Sequence, residues 1–407
     1  MFGIDTYTVS VSAPGKVILH GEHSVVYGKT AIAVSLGLRS SIVIKEVNTI
    51  GEPAVHIHLP CVGLQEDIPL TPTIQSLFNP QLSPSVSGKF SWRLPDKLDH
   101  DTHLKKVEEF LHKIRPNFDS LPNNQKNSLR SFLYVFSGIF GSTKLQVKSM
   151  DISMGSELTI GAGTGSSASF AVCLAGALIR LLKLKSSSYE FYDQSEDFTL
   201  KEKEIVSEWA YNCERIMHGT PSGIDNATCT FGSLVSFKKG EKPRFVDIRL
   251  NLKILLVDSR VSRETRALVV KVATLRQQNR ETVDNILAAM DNIALTALQV
   301  LEKIGSGKCE ADIDSDYQHL ADLWDMNHCL LSALGVSHPA LERVRASARA
   351  RGLACKLTGA GGGGYAMILI PPATPRTTVD SLSGQLLELG FKVTETRLGG
   401  PGLTLEM

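Results

Sequence analysis

Apolar and polar residues alternate from the start of the chain, through "YTVSVSAPGKVILHGEHSVV", "TAIAVSLGLRSSIVIKEV" and "AVHIHLP". A period of two puts every second side chain on one face, so these stretches predict strands with one buried side. Residues 71–100 are rich in Pro and Ser and read as a long surface loop. The spacing turns helical over residues 103–115 and 125–139. "STKLQVKSMDISM" returns to alternation, and a glycine-rich run then leads into an apolar helix ending near Leu184. A polar, acidic connector, "KSSSYEFYDQSEDFTL", separates that helix from "KEKEIVSEWAYNCERIMHG", where Ile205, Trp209, Ala210 and Cys213 recur at helical spacing. Gly219 suits the C-terminal cap and Pro221 bars continuation.

Beyond "GSLVSFKKG", a strand and turn, the pattern changes. One strand, "LKILLVDSR", precedes long helical stretches from about 263 to 350, broken near "GSGKCEAD". The end, "CKLTGAGGGGYAMILIPP" and "KVTETRLGGPGLTLEM", is strand and turn again. There is no internal repeat. The pattern predicts an α+β protein in two halves with the break near 230–250.

Composition removes several function classes. The 407 residues are 43% hydrophobic and 21% charged, enough for two or three domains with ample core. The formal net charge of +1 creates no global field toward nucleic acid or an anionic membrane. Seven scattered cysteines without a CxxC predict reduced thiols and an intracellular setting. His56 and His58 share a strand face, but no third ligand is in view for zinc. The N-terminus shows no secretory pattern, and the most apolar segment is interrupted by Arg180 and Lys183, short of the roughly 20 residues of a membrane span. A soluble, cytoplasmic protein is expected.

Three islands carry candidate chemistry. In "GAGTGSSAS", Gly161, Gly163 and Gly165 let a bulky ligand approach the backbone, and Ser166 and Ser167 stand where a helix begins, with free amides and the positive dipole end. That is the physics of a phosphate cradle, although a flexible turn with a Ser cap also accounts for it. The run is neither a Walker A loop nor a Rossmann fingerprint. In "CERIMHGTPSGIDNA", Glu214 could hold a divalent metal and Asp225 accept a proton from a substrate hydroxyl; equally, Asp225 could cap the next helix and Glu214 be solvated. "LTGAGGGGYAMILI" contains a formal GxGxxG, but a strand follows it, which excludes a dinucleotide fold; its glycines demand close approach of a ligand or of another backbone segment. "SAPGKVILHGEHSVVYGK" adds Lys16, either a solvated edge charge or a neighbour of Asp225.

In this order, "PGKVILHGEH", "GAGTGSSAS", "GTPSGIDNA" and "KLTGAGGGG" resemble the GHMP kinase superfamily, and within it the eukaryotic mevalonate kinases. The resemblance runs from about residue 8 to 400 and is thin over 65–130 and 186–200. It implies a two-domain fold: a ribosomal-protein-S5-like ATP-binding domain, 1–235, and a ferredoxin-like domain, 236–407, whose last strand packs back on the first. It also implies phosphorylation of the mevalonate 5-hydroxyl by ATP with Mg2+, a homodimer, and prenyl diphosphates as inhibitors, with no nucleic acid or membrane partner. Carried over, Gly161, Ala162, Gly163, Thr164, Gly165, Ser166 and Ser167 would wrap the phosphates, with Lys16 and Ser156 as further ATP contacts. Ser167 and Glu214 would hold Mg2+; Asp225 would be the base, with Lys16 beside it. His23, Thr265, Ala360 and Met217 would meet the acid substrate, whose carboxylate makes His23 and Arg263 candidate partners, although an arginine in that stretch is more commonly a solvated helix charge. Thr159, Ile160 and Thr164 depart from the family loop, and Cys61 stands where related kinases tend to carry Asn, which implies altered nucleotide affinity.

Overall fold

The two longest strands carry the architecture of this computed structural model, which describes residues 6–78, 95, 98–141, 143, 145–185, 197–241, 243–246, 248, 250–307 and 313–406. β1 (Thr8–His20) and β2 (Ala31–Val47) form a long antiparallel hairpin, closed by a 3-10 turn at Ser24–Tyr27. Then follow β3 (Ala54–Leu59), β4 (Leu64–Pro69), α1 (Leu70–Leu77), α2 (His100–Ile114), α3 (Asn123–Phe140), β5 (Ser149–Ser156), α4 (Ser166–Lys185), α5 (Leu200–His218), α6 (Ile224–Phe231), β6 (Leu234–Phe237) and β7 (Arg244–Val246). β8 (Leu252–Asp258) opens the second lobe, continued by α7 (Thr265–Gln278), α8 (Arg280–Ser306), α9 (Ile313–Ala333), α10 (Pro339–Arg349), β9 (Cys355–Leu357), β10 (Tyr365–Ile370), α11 (Arg376–Glu388), β11 (Lys392–Leu398) and β12 (Thr404–Leu405).

In the first lobe the strands run β4-β3-β5-β2-β1, with β3 parallel to β5. In the second the order is β11-β8-β10-β9, antiparallel throughout. Numbered within that lobe, this is 4-1-3-2, the split βαβ arrangement of a ferredoxin-like domain. One bridge, Leu36 to Leu398, joins the two into a single sheet. The chain end returns to the first lobe: β12 pairs with β1, and the Arg39 guanidinium donates to the carbonyls of Ser12, Pro401 and Gly402.

α4 runs through the middle of the first core. It is apolar all round, as an interior helix must be, and thirteen of its 20 residues are buried. By length and composition it could cross a membrane, contrary to the expectation that this segment falls short; here its apolar surface is spent on protein contacts. That burial fixes where its first turn points, and the glycine run sits there.

Three sequence expectations change. Residues 70–77 are helical, because Leu70, Thr73 and Leu77 share one buried face and Pro72 falls within the first turn, where a missing N–H costs nothing. The rest of the expected loop, 79–94 and 96–97, lies outside the described residues, as does the connector 186–196. α2 starts earlier than expected, since the Asp99 carboxylate accepts from the Thr102 amide as its cap. β5 begins only at Ser149, because its partner β2 ends at Val47 and leaves the preceding residues no ladder.

Trp209 on α5 is fully buried, and its six-membered ring lies against Gly138 of α3. A methyl at Gly138 would sit 2.6 Å from the Trp209 Cζ3. Gly138→Ala should therefore destabilise the fold by about 1–3 kcal/mol through overpacking, outweighing the roughly 1 kcal/mol gained in helix propensity. Denaturant unfolding checks this; a variant more stable than the parent would contradict the packing.

Candidate active site

The glycine run forms a tight turn ahead of α4. Gly161 and Gly163 adopt φ of +73° and +81°, a conformation a side chain resists. α4 begins at Ser166, so the amides of its first turn have no intrahelical acceptor and carry the positive end of the dipole. β1 is stitched to this turn: the Lys16 amide donates to the Thr164 carbonyl at 2.9 Å, and the Lys16 side chain lies over Gly165.

α5 is started by a capping box, in which Thr199 accepts from the Glu202 amide and Glu202 accepts from the Thr199 amide at 2.8 Å. It ends at His218 with Gly219 as cap. Glu214 and His218 are four residues apart and share a face. Glu214 is buried rather than solvated. α6 then begins at Ile224, capped by Gly223 in left-handed geometry, so Asp225 sits in the first helical turn and is not the cap.

These elements converge. The Lys16 ammonium lies 2.8 Å from the Asp225 carboxylate. Burial and the neighbouring Asp225 push the Glu214 carboxyl up to about 8, against the opposing effect of Lys16. One turn further along α5, His218 Nε2 lies 3.2 Å from the Ser167 hydroxyl. A cavity of about 680 Å³ opens beside them; Lys16, Asp225, His218 and Ser167 line it, and Glu214 lies behind that lining. Gly161, Gly163, Gly165, Ser166 and Ser167 form one wall. Lys16, Asp225 and Met217 line the cavity from the first lobe, and Arg263, Thr265, Gly359 and Ala360 from the second. Ser156, Cys61, Leu59, Met154 and Phe170 also line the cavity.

Ala162, Thr164 and His23 stand back from the cavity, whereas Ser156 and Arg263 line it with their polar groups already engaged. Ala162 and Thr164 present carbonyls to protein, to Arg263 and Lys16 respectively. The Ser156 hydroxyl already accepts from the Leu158 amide and bonds Ser40. His23 is buried at φ +61°, and its Nε2–H donates to the Ala360 carbonyl at 2.8 Å. Burial lowers its pKa, so the imidazole is neutral, and Lys16 and Arg263 bring positive charge to this cavity. Arg263 is no solvated helix charge: it donates to Ala162 and Thr358, 3.2 Å each, tying the two glycine turns together.

The third island packs backbone on backbone. The Gly362 amide donates to Val336 and the Gly364 amide to Val261, and a Cβ at Gly361 would strike the Val336 carbonyl. The tight turn holds Ala360 at the cavity. His56 is paired with Asp67 at 2.7 Å, and among the described residues no His/Cys/Asp/Glu cluster of three could hold a metal. Sequence reasoning missed His218 and the α3 residues Asn124, Asn127 and Ser128, which also line the cavity. His218 lay inside a quoted motif; the α3 residues had no motif, only polar positions on a helix.

An amide-rich turn at a helix start that lines one cavity with a lysine–carboxylate pair is the arrangement of a small-molecule kinase. The chain matches the family described as GHMP kinases N terminal domain over residues 131–233 and that described as GHMP kinases C terminal over 309–386. The mevalonate kinase of Homo sapiens is 36% identical over 97% of this chain and 94% of its own length. That of Gibberella zeae is 35% identical over 97% and 76%. In fold, the Methanococcus jannaschii mevalonate kinase matches with a TM-score of 0.65 at 22% identity, covering 98% of this chain and 100% of its own. The L. major mevalonate kinase, solved in complex with R-mevalonate, matches with a TM-score of 0.63 at 20% identity, covering 98% of each. The chain belongs to the mevalonate kinase family of the GHMP kinases and is an enzyme of the kinase class.

The raised Glu214 pKa has a measurable consequence. The native carboxyl keeps its proton up to about pH 8, whereas the unfolded one releases it near 4.5. The folded state binds more protons between those values, so stability without divalent cations falls as pH rises through that window. In EDTA, Tm should be lower at about pH 8 than at about pH 6, and Glu214→Gln should shrink the difference. An unchanged difference would assign the proton to another group.

Proposed function

We propose that this enzyme transfers the terminal phosphoryl group of ATP to the 5-hydroxyl of (R)-mevalonate, giving 5-phosphomevalonate, with Mg2+. The observation that carries the reading is the Lys16–Asp225 pair, 2.8 Å apart, on the same cavity as the α4 amides. The family relatives named above support the choice of acceptor.

Phosphoryl transfer asks the protein for alignment and charge stabilisation rather than covalent chemistry. The amides leading α4, with the dipole behind them, grip the transferred phosphoryl group. Asp225 orients the acceptor hydroxyl and takes its proton as transfer proceeds. The Lys16 ammonium neutralises the negative charge that develops on the acceptor oxygen. Arg263, Thr265 and the Ala360 turn, buttressed by His23, form the wall for the acid end of the acceptor, and Met217 covers its apolar part. The lining by Cys61, Leu59, Met154 and Phe170 suits the nucleobase, and the Cys61 thiol replaces a stronger hydrogen-bonding side chain there.

Ser167 and Glu214, both oxygen donors, would suit Mg2+, which typically takes one or two protein ligands and fills its shell with phosphate oxygens and water. The Glu214 carboxyl fits too, since a cation there would offset the burial and the repulsion from Asp225 that together raise its pKa. Bound Mg2+ supplies charge neutralisation on the nucleotide phosphates.

Turnover of mevalonate with ATP and Mg2+, with the phosphorylated position read by NMR, tests the reading; phosphomevalonate as the preferred acceptor would overturn it. Asp225→Asn should lower kcat at least about 100-fold while leaving the KM for ATP within a few-fold. Near-parental turnover would remove Asp225 as the base. Glu214→Gln should raise the Mg2+ concentration needed for half-maximal rate, and an unchanged titration would count against its ligand role.

A further inference from the structure

Behind the acceptor wall lies a buried polar cluster that the mechanism does not use. Glu22, in the turn after β1, and Lys356, in β9, are fully buried and form an ion pair between the lobes. The second Glu22 oxygen accepts from Asn327 of α9 at 3.1 Å, and the Lys356 ammonium also donates to the Leu357 carbonyl at 2.8 Å. His20 lies close enough to Lys356 to feel its charge and is itself buried, without a hydrogen-bond partner on either ring nitrogen among the described residues. Taking two charges out of water is costly, and hydrophobic residues of similar volume often serve stability as well. An expensive pair at this point therefore calls for a role beyond holding the lobes together.

Its place in the chain supplies one. Glu22 immediately precedes His23, which is held at φ +61° although it carries a bulky side chain. Such a conformation persists only where the surroundings impose it. Lys356 lies two residues before Thr358, whose hydroxyl donates to the Ile18 carbonyl at 2.8 Å and whose carbonyl accepts from Arg263. Four residues after Lys356 comes Ala360, the acceptor of the His23 hydrogen bond. The ion pair thus joins the two segments that His23 and Ala360 join at the cavity wall, and Asn327 fixes the carboxylate from a third element.

We propose that Glu22, Lys356 and Asn327 are positioning residues that set the register of the 358–364 turn against the β1 turn, and so place the acceptor wall opposite Asp225. They act through His23, Ala360 and Arg263. Their effect falls on the acceptor more than on the nucleotide, because the glycine turn ahead of α4 keeps its bond to the Lys16 amide and its junction with α4, and meets this cluster only through the Arg263–Ala162 bond. This rests on the functional reading above for its kinetic part and on geometry alone for its structural part.

The test uses Lys356→Met, which leaves the Glu22 carboxylate buried without its cation, and the double variant Glu22→Gln/Lys356→Met, which removes both charges. Two readouts are taken: amide hydrogen exchange of residues 358–364 and 20–24, and KM for mevalonate and for ATP separately. In Lys356→Met, exchange in both segments should speed up about 10-fold and the mevalonate KM should rise about 10-fold or more, with the ATP KM within about 2-fold; the double variant should recover a large part of both effects. If Lys356→Met does not fold, Asn327→Ala carries the same test with a smaller change in the same direction. Parental exchange in the two segments and a parental mevalonate KM, with only Tm lowered, would overturn the proposal and leave the pair a plain structural bolt. Equal rises in both KM values would overturn it as well. If the parent enzyme does not phosphorylate mevalonate, the functional reading fails, and the exchange data alone decide whether these residues set the register.

Discussion

Everything at this site hangs on where the Lys16 side chain is held. Its backbone belongs to the β1–β2 ladder, its amide is bonded to Thr164, and its methylenes lie across Gly165. One residue therefore links the central hairpin, the amide-rich turn and, through its ammonium, Asp225 at the start of α6. The absence of a Cβ at Gly165 is what lets the lysine pass so near the turn. Phosphoryl transfer rewards placement above all else, and here placement is a property of the most regular element in the protein.

The electrostatics follow from that geometry. Two carboxylates, Glu214 and Asp225, approach each other where water is scarce, and a single lysine is shared between them. The lysine contacts Asp225 directly, and burial first, then the neighbouring Asp225, raise the pKa of Glu214. Its carboxyl is left wanting either a proton or a cation. On the proposed reading, the same segment offers one carboxylate for the acceptor hydroxyl and one, more deeply buried, for a metal.

The second lobe contributes shape. Five positive-φ glycines, Gly359 and Gly361 to Gly364, fold the chain into a turn that no side chain could share with Val336 and Val261. Arg263 crosses from this turn to the carbonyl of Ala162, so the two glycine islands, some two hundred residues apart in sequence, are bridged by one guanidinium. A rigid planar fork with several donors suits this task better than an ammonium would.

Much of this was written locally in the chain. Period-two alternation set β1 and β2, the all-apolar run set α4, and Thr199 and Gly219 bounded α5, because strand period, amphipathicity and capping act over a few residues. The clustering of glycines and serines before α4 marked the phosphate-gripping turn for the same reason. What no local rule could settle was company. Whether Glu214 was solvated or buried, whether His23 was charged, and whether Arg263 faced water depended on segments that meet only when the lobes close. Helix α1 and the late start of β5 were missed because each was decided by a partner surface or by the length of a neighbouring strand. The Glu22–Lys356 pair lay beyond reach altogether: its residues sit 334 positions apart, and a buried charge announces itself only once the tertiary structure has removed the water around it.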